Sequence, residues 1–342
     1  MRPAENKNVF YSWRMRLLLH IEDTAAEITG ELVDGQVTLD RDAVLAATGW
    51  EVKDHGLCRG DVCRPASLGE TVSLTDLAAT LGRPLAVEVT DDLAVAVLGE
   101  PGGTTSRRGD LAPELRLTDA DGQTVDLTRR GRRTVVVAWS TWCGCRYELP
   151  AWHALADELE PLGLDLVAVA LDDDEERVRH WTGKAGMPPV LDPKHRLSDV
   201  FGVVNVPSTV WLDEDGRVAK PPTIAPGDDQ FKEFTEVDAS RHHEALRRWA
   251  HDGAVPDAED EVADDEDLRL ARAERRLAAW LHRDGRTEAA LRHYDTAVAL
   301  APLDFSIRRA SMRNRGENPF GTEFFELWDQ WSAAGRPGYT PT

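Results

Sequence analysis

Two cysteines separated by one glycine, Cys143-Gly144-Cys145, sit between Trp139-Ser140-Thr141-Trp142 and Arg146-Tyr147-Glu148-Leu149-Pro150. Sulfurs this close in sequence can form and release a disulfide, and the reacting species in such exchange is the thiolate. An apolar, β-branched run at 134–138 leads into the pair. A stretch with helical spacing follows it at 150–162, with Trp152, Leu155 and Leu159 on one face. A strand that delivers a thiol to the start of a helix sets it against unpaired N–H groups and partial positive charge, which lower its pKa. Cys143, on the strand side, is therefore expected to attack and Cys145 to resolve. Glu148 has the reach to accept or return a proton, although the helix dipole by itself also favours an acid there.

Side chains two residues apart in a helix point to nearly opposite faces. A Cys143–Cys145 bond therefore requires a non-helical Gly144, and glycine tolerates such backbone angles. The small ring is expected to be strained and readily exchanged, an oxidising rather than a strongly reducing disulfide.

The elements that must hold this site separate by pattern. Residues 1–108 mix short apolar runs with turn signals, as in a small α+β domain. Residues 99–109, with Pro101, Gly102 and Gly103, read as a linker. The first few residues are polar and expected to be loose. Residues 109–252 alternate strands and helices. A hairpin surrounds Asp119-Ala120-Asp121-Gly122, buried strands fall at 135–139 and 164–171, and helical spacing recurs at 172–184 and 198–201. Val206-Pro207-Ser208-Thr209-Val210-Trp211-Leu212 leads into a strand closed by Asp213-Glu214-Asp215-Gly216. The fold class is α/β with a layered sheet. Residues 253–267, acidic from Asp257 onward, read as a second linker, and 268–342 as an all-α domain. There Leu277, Ala278, Leu281 and Gly285, then Ala290, Tyr294, Ala297 and Pro302, resemble a tetratricopeptide helix pair. Such repeats need about three copies for stability, so a packing role is favoured over a groove that docks a protein partner.

A chain of 342 residues exceeds a single core. Its net charge of −21 argues against nucleic acid or an anionic membrane, whose recognition needs clustered Lys and Arg. The apolar run 17–19 is too short for a signal core, and no segment approaches membrane-spanning length. The expectation is a cytoplasmic protein, where paired thiols are more often catalytic or metal-binding than structural. Cys58-Arg59-Gly60-Asp61-Val62-Cys63 is a second pair. It reads as a redox relay to Cys143, or else as two buried thiols or a structural disulfide. A zinc site needs four ligands and no matching Cys/His pair stands near, so neither metal nor cofactor is expected. His153, His180 and His195 have no spacing that marks them as catalytic.

Trp139, Trp142, Cys143, Cys145-Arg146 and Glu148-Leu149-Pro150, with the distant Val206-Pro207-Ser208-Thr209 and Trp211-Leu212-Asp213, make 110–222 resemble one branch of the redoxins (AhpC/TSA group). That branch is the TlpA/ResA-like, thioredoxin-fold thiol–disulfide oxidoreductases. The resemblance implies a thioredoxin-like central domain, with Cys143 as attacking thiolate, Cys145 as resolving cysteine and Glu148 as the active-site glutamate. It further implies that Pro207 is a cis-proline facing the cysteines, that Val206 presents its backbone to a substrate, and that Trp142 shields and contacts that substrate. One residue of the family's two-residue spacer is missing, as in a similar subgroup whose first position can be selenocysteine. Val137 stands where thioredoxin carries a buried aspartate. The implied activity is thiol–disulfide exchange on a disulfide-bearing protein or small thiol, renewed by a thioredoxin- or low-molecular-weight-thiol-type reductant. An antioxidant, peroxiredoxin-like peroxidase is the alternative. Its usual threonine and proline are here Ser140 and Val136, so that match is partial. A redox-sensing scaffold built on the C-terminal helices is the third reading.

Overall fold

The computed structural model describes residues 12–22, 24–90, 93–102, 107–256 and 265–337. The loose N-terminal residues, positions 103–106 of the first linker and most of the acidic run lie outside them. The chain divides into two compact units, Met1–Gly102 with Glu266–Ala297, and Gly103–Asp265 with Val298–Thr342. This corrects the expected boundaries. The C-terminal helices are present but form no domain of their own: the segment up to Ala297 belongs to the N-terminal unit and the remainder to the redox unit. No helix among the described residues is long and apolar enough to cross a membrane.

The first unit is built on a six-stranded sheet in the order Thr71–Ser73, Gln36–Asp40, Thr24–Val33, Ser12–Ile21, Leu93–Leu98, Leu85–Val89. Ser12–Ile21 and Leu93–Leu98 run parallel, and the other neighbours antiparallel. Leu93–Leu98 is buried at every position, so both of its faces are covered. Ala94, Ala96 and Leu98 join the core formed with helices Arg41–Thr48 and Leu74–Leu81. Leu93, Val95 and Val97 meet Leu277, Ala278 and Leu281 of helix Glu266–Arg283 and Ala290 and Tyr294 of Thr287–Leu300. The period-2 alternation of a strand thus needs two layers of helix, and the second layer comes from far along the chain. A separate three-stranded sheet, Glu51–Lys53, Gly56–Arg59 and Val62–Pro65, sets Cys58 directly opposite Cys63, and a disulfide joins them.

In the second unit the strand order is Thr124–Asp126, Arg116–Asp119, Val190–Leu191, Leu164–Ala170, Arg133–Trp139, Ser208–Leu212, Val218–Ile224. Arg133–Trp139 is an interior strand, parallel to Leu164–Ala170 and antiparallel to Ser208–Leu212. Helices Leu149–Leu159, Glu175–Ala185 and Ala239–Asp252 flank it. Trp152 and Trp211 pack against the buried His242, and Trp249 stacks on Trp211, in the core. The helix expected from 172 starts at Glu175, because Asp174 caps it and Asp172 is used elsewhere. Both parallel strands end on the same side, where sites form in open α/β sheets.

If helix Glu266–Arg283 is part of the N-terminal core, Leu277→Ala should cost about 2–5 kcal/mol. That loss should appear as a lower urea midpoint and as faster amide exchange in Leu85–Val89 and Leu93–Leu98. Unchanged exchange in those strands would contradict the two-layer packing.

Candidate active site

Strand Arg133–Trp139 hands over to the site at its last residue. Asp172, just past the end of the neighbouring strand, accepts from the Ser140 hydroxyl at 2.6 Å and from the Thr141 amide at 2.7 Å. The Trp142 indole N–H donates to the Leu171 carbonyl at 3.1 Å. These bonds tie the turn before the cysteines to the sheet. Cys143 then caps a short 3-10 turn, Gly144–Tyr147, and helix Leu149–Leu159 begins only after Glu148, with Pro150 in its first turn. The helix start is thus directed at the pair through a 3-10 turn rather than directly.

Both thiols are free and buried. Cys143 Sγ accepts from the Cys145 amide at 3.2 Å and donates to the Val206 carbonyl at 3.4 Å. The Val206–Pro207 bond is cis, as the resemblance implied. Asn205 organises that loop, its side-chain oxygen accepting from the Val206 amide and its carbonyl from the Ser208 hydroxyl. Gly144 keeps ordinary 3-10 backbone in this dithiol state. Its missing side chain is explained by a close approach instead: a Cβ there would lie 2.9 Å from Phe231 Cζ.

The two sulfurs differ sharply. Burial pushes the Cys143 thiol up, but the Cys145 thiol, the Arg309 guanidinium, the Cys145 N–H and Arg146 outweigh it and bring the pKa down to about 7. Burial, reinforced by the Cys143 charge, raises Cys145 well above the ordinary thiol range. Burial likewise raises Glu148 to about 9, against the opposing hydrogen bond from the Gly227 amide to its Oε2 at 2.8 Å and with help from the Cys143 charge. Near neutral pH Cys143 is therefore poised between thiol and thiolate, while Cys145 is a thiol and Glu148 a neutral carboxylic acid.

Arg309 had no signal in the sequence. It lies in the short helix Arg308–Ser311, 3.8 Å from the centre of the Phe324 ring, and its Nε donates to the Pro319 carbonyl at 3.1 Å. Arg313 donates to the hydroxyl and carbonyl of Thr141, and Arg146 to the carbonyl of Cys143. The region read as a separate helical domain thus completes the site. Asp172 and Gly227 were also missed. Asp172 was read as the start of a helix, and Gly227 is glycine because a Cβ would lie 2.7 Å from the Trp152 indole.

Cys143, Cys145, Glu148, Val206, Pro207 and Arg309 line one cavity of about 250 Å³. Its other walls are mainly aromatic, with Phe231, Phe234, Phe305, Phe320, Phe324 and Trp328. Trp142 is buried beside this cavity without lining it, and its ring N–H is bonded to the Leu171 carbonyl. Cys58 and Cys63 belong to the other unit. His153 pairs with Asp157 on a helix surface, His180 packs on Trp181, and His195 is buried at the start of a short helix. None of the three lines the cavity.

Two measurements check the electrostatics. Arg309→Met should move the midpoint of Cys143 alkylation upward from about 7, by about one unit or more, whereas Arg309→Lys should retain most of the depression. An unmoved midpoint would mean that Arg309 does not act on the sulfur. For Glu148, the unfolded carboxyl ionises near 4.5 and the folded one near 9. The native state therefore binds the extra proton, and stability falls as pH rises across that window. Glu148→Gln should flatten the pH dependence of the urea midpoint between those values.

Residues 107–237 match the redoxin family. The thiol–disulfide oxidoreductase ResA of Geobacillus thermodenitrificans is 29% identical over 182 residues, 52% of this chain and 94% of that protein. ResA of Halalkalibacterium halodurans is 26% identical over 136 residues, 39% of this chain and 77% of the relative. The sporulation thiol–disulfide oxidoreductase A of Bacillus subtilis is 28% identical over 122 residues, 34% of this chain and 74% of the relative. The crystal structure of StoA from Bacillus subtilis aligns with a TM-score of 0.32 at 23% identity, covering 39% of this chain and 96% of that one. Residues 107–237 thus carry a redoxin domain, and its sequence is similar to that of the ResA-type thiol–disulfide oxidoreductases.

Proposed function

We propose that Cys143 attacks a substrate disulfide and that Cys145 resolves the product, with Glu148 moving the proton between them. The carrying observation is the opposed pKa values of two adjacent sulfurs beside a neutral acid. The Cys143 thiolate displaces one substrate sulfur and forms a mixed disulfide. The departing thiolate takes a proton from Glu148. Loss of the charge on Cys143 removes one of the influences that hold the proton on Glu148, so its carboxylate can form and accept the Cys145 proton. Cys145 then attacks Cys143, closing the Cys143–Cys145 bond and releasing the second substrate thiolate, which is protonated from water. A thioredoxin- or low-molecular-weight-thiol-type reductant restores the dithiol.

The substrate class supported by the cavity is a disulfide whose flanking groups are apolar enough to lie among the aromatic walls. We place the reaction in the cytoplasm, where the Cys58–Cys63 bond would be open to reduction and so able to serve as a relay. Cell fractionation that finds the chain only in an oxidising compartment would overturn this placement.

A second reading, thiol peroxidase, draws support from Arg309, since a cation beside the sulfur would stabilise the oxyanion leaving a peroxide. Cys143 would become a sulfenic acid that condenses with Cys145. Against it, the Ser140 hydroxyl is committed to Asp172.

Cys143→Ser should abolish insulin and glutathione-disulfide turnover, and Cys145→Ser should trap a mixed disulfide detectable by mass spectrometry. Rapid peroxide consumption by the reduced wild type, without disulfide exchange, would favour the peroxidase. Wild-type behaviour of the double serine variant in both assays would leave only a scaffold. The Cys143–Cys145 couple should have a potential well above the roughly −270 mV of a reducing thioredoxin, and an equally low value would refute the exchange-prone disulfide.

A further inference from the structure

Cys58 and Cys63 face each other across a hairpin, and the relay reading leaves one neighbour unexplained. His55, in the turn before strand Gly56–Arg59, places its Nε2 3.5 Å from Cys58 Sγ. The donor atoms of His55, Cys58 and Cys63 all lie within 4.8 Å of one another. We propose that the reduced hairpin is a zinc site, held by His55 Nε2 and the thiolates of Cys58 and Cys63, and that the disulfide is its metal-free state.

The geometry suits this cation. Zinc binds sulfur at about 2.3 Å and nitrogen at about 2.0–2.1 Å with tetrahedral angles, which sets the sulfur–nitrogen edge at about 3.5 Å. The His55 Nε2–Cys58 Sγ separation has that value. Two thiolates cancel the charge of a divalent ion, and a mixed sulfur and imidazole set suits zinc better than hard cations. The three ligands come from nine consecutive residues, two of them directly opposed across a pair of antiparallel strands. Gly56 has φ +142, and a Cβ there would lie 2.0 Å from the Arg64 carbonyl oxygen, so the turn that presents His55 is closed tightly onto the opposite strand. Cys58 is buried, whereas His55 and Cys63 are exposed, so the fourth position opens to solvent and would take water. The sequence lacked a second Cys/His pair, but His55 three residues before Cys58 supplies the third ligand and water the fourth.

The chemistry balances. A dithiol or two low-molecular-weight thiols give two electrons and two protons to the Cys58–Cys63 bond and leave as a disulfide. Zinc then displaces both protons from the freed thiols. A low-molecular-weight disulfide reverses the sequence: it takes two electrons from the thiolate pair and two protons from water and leaves as two thiols, while the Cys58–Cys63 bond closes and the ion is released.

The test uses the full chain carrying Cys143→Ser and Cys145→Ser, so that only the hairpin sulfurs respond. Reduced without oxygen, dialysed against zinc and measured by mass-spectrometric metal analysis, it should hold about one zinc per chain; the oxidised form should hold essentially none. His55→Ala, an exposed change that leaves both thiols in place, should weaken zinc binding about tenfold or more in a chelator competition. Cobalt should give a thiolate charge-transfer band that Cys58→Ser removes. Failure of the reduced chain to retain zinc, binding untouched by His55→Ala, or uptake of cuprous ion in preference to zinc would each overturn the assignment.

Discussion

A negative charge on the Cys143 sulfur has to be sustained where water is largely excluded, and the rest of the redox unit is arranged around that requirement. Burial alone would keep the thiol protonated. It is overcome by partners that all have to be in place together: the Cys145 thiol and amide, the Arg309 guanidinium and, further off, Arg146. Arg309 is itself buried, which lowers its own pKa. Its position over the Phe324 ring and its bond to the Pro319 carbonyl hold it where it is useful. Asp172 holds the turn before the cysteines, and the cis Val206–Pro207 loop closes the opposite side. Each constraint narrows where that sulfur can be.

The neutral Glu148 follows first from its burial, and the charge on Cys143 adds to it. A second anion beside a buried thiolate would raise the energy of both, so the carboxyl keeps its proton while Cys143 is ionised. In the proposed exchange, loss of the Cys143 charge on forming the mixed disulfide removes one of the influences that keep that proton in place.

The two cysteine pairs show how spacing and backbone set different chemistry. Cys58 and Cys63 are opposed directly across two antiparallel strands and are bonded. Cys143 and Cys145 share one 3-10 turn and stand as thiols of opposite character. A glycine is needed at each place, for unlike reasons: Gly56 for its positive φ and the approach of a strand, Gly144 for the ring of Phe231.

Much of this was legible in the chain itself. The β-branched run, the cysteine pair, Glu148 and the Val-Pro loop identify a thioredoxin-type sheet and its site because each rests on local spacing or on a compact motif. The helix pair with Tyr294 and Gly285 was equally visible, since amphipathic periodicity is local. Which partner those helices cover was not visible. An apolar helix face records only that something must bury it, and here it is one face of Leu93–Leu98. Arg309 was unreadable for a related reason: an arginine in a polar helical stretch looks like solvated surface until folding sets it beside a sulfur 166 positions earlier. The sequence by itself determined the elements and the reactive atoms. Only the tertiary structure decided the charge those atoms carry, because a pKa is set by burial and by neighbours that need not be close in the chain.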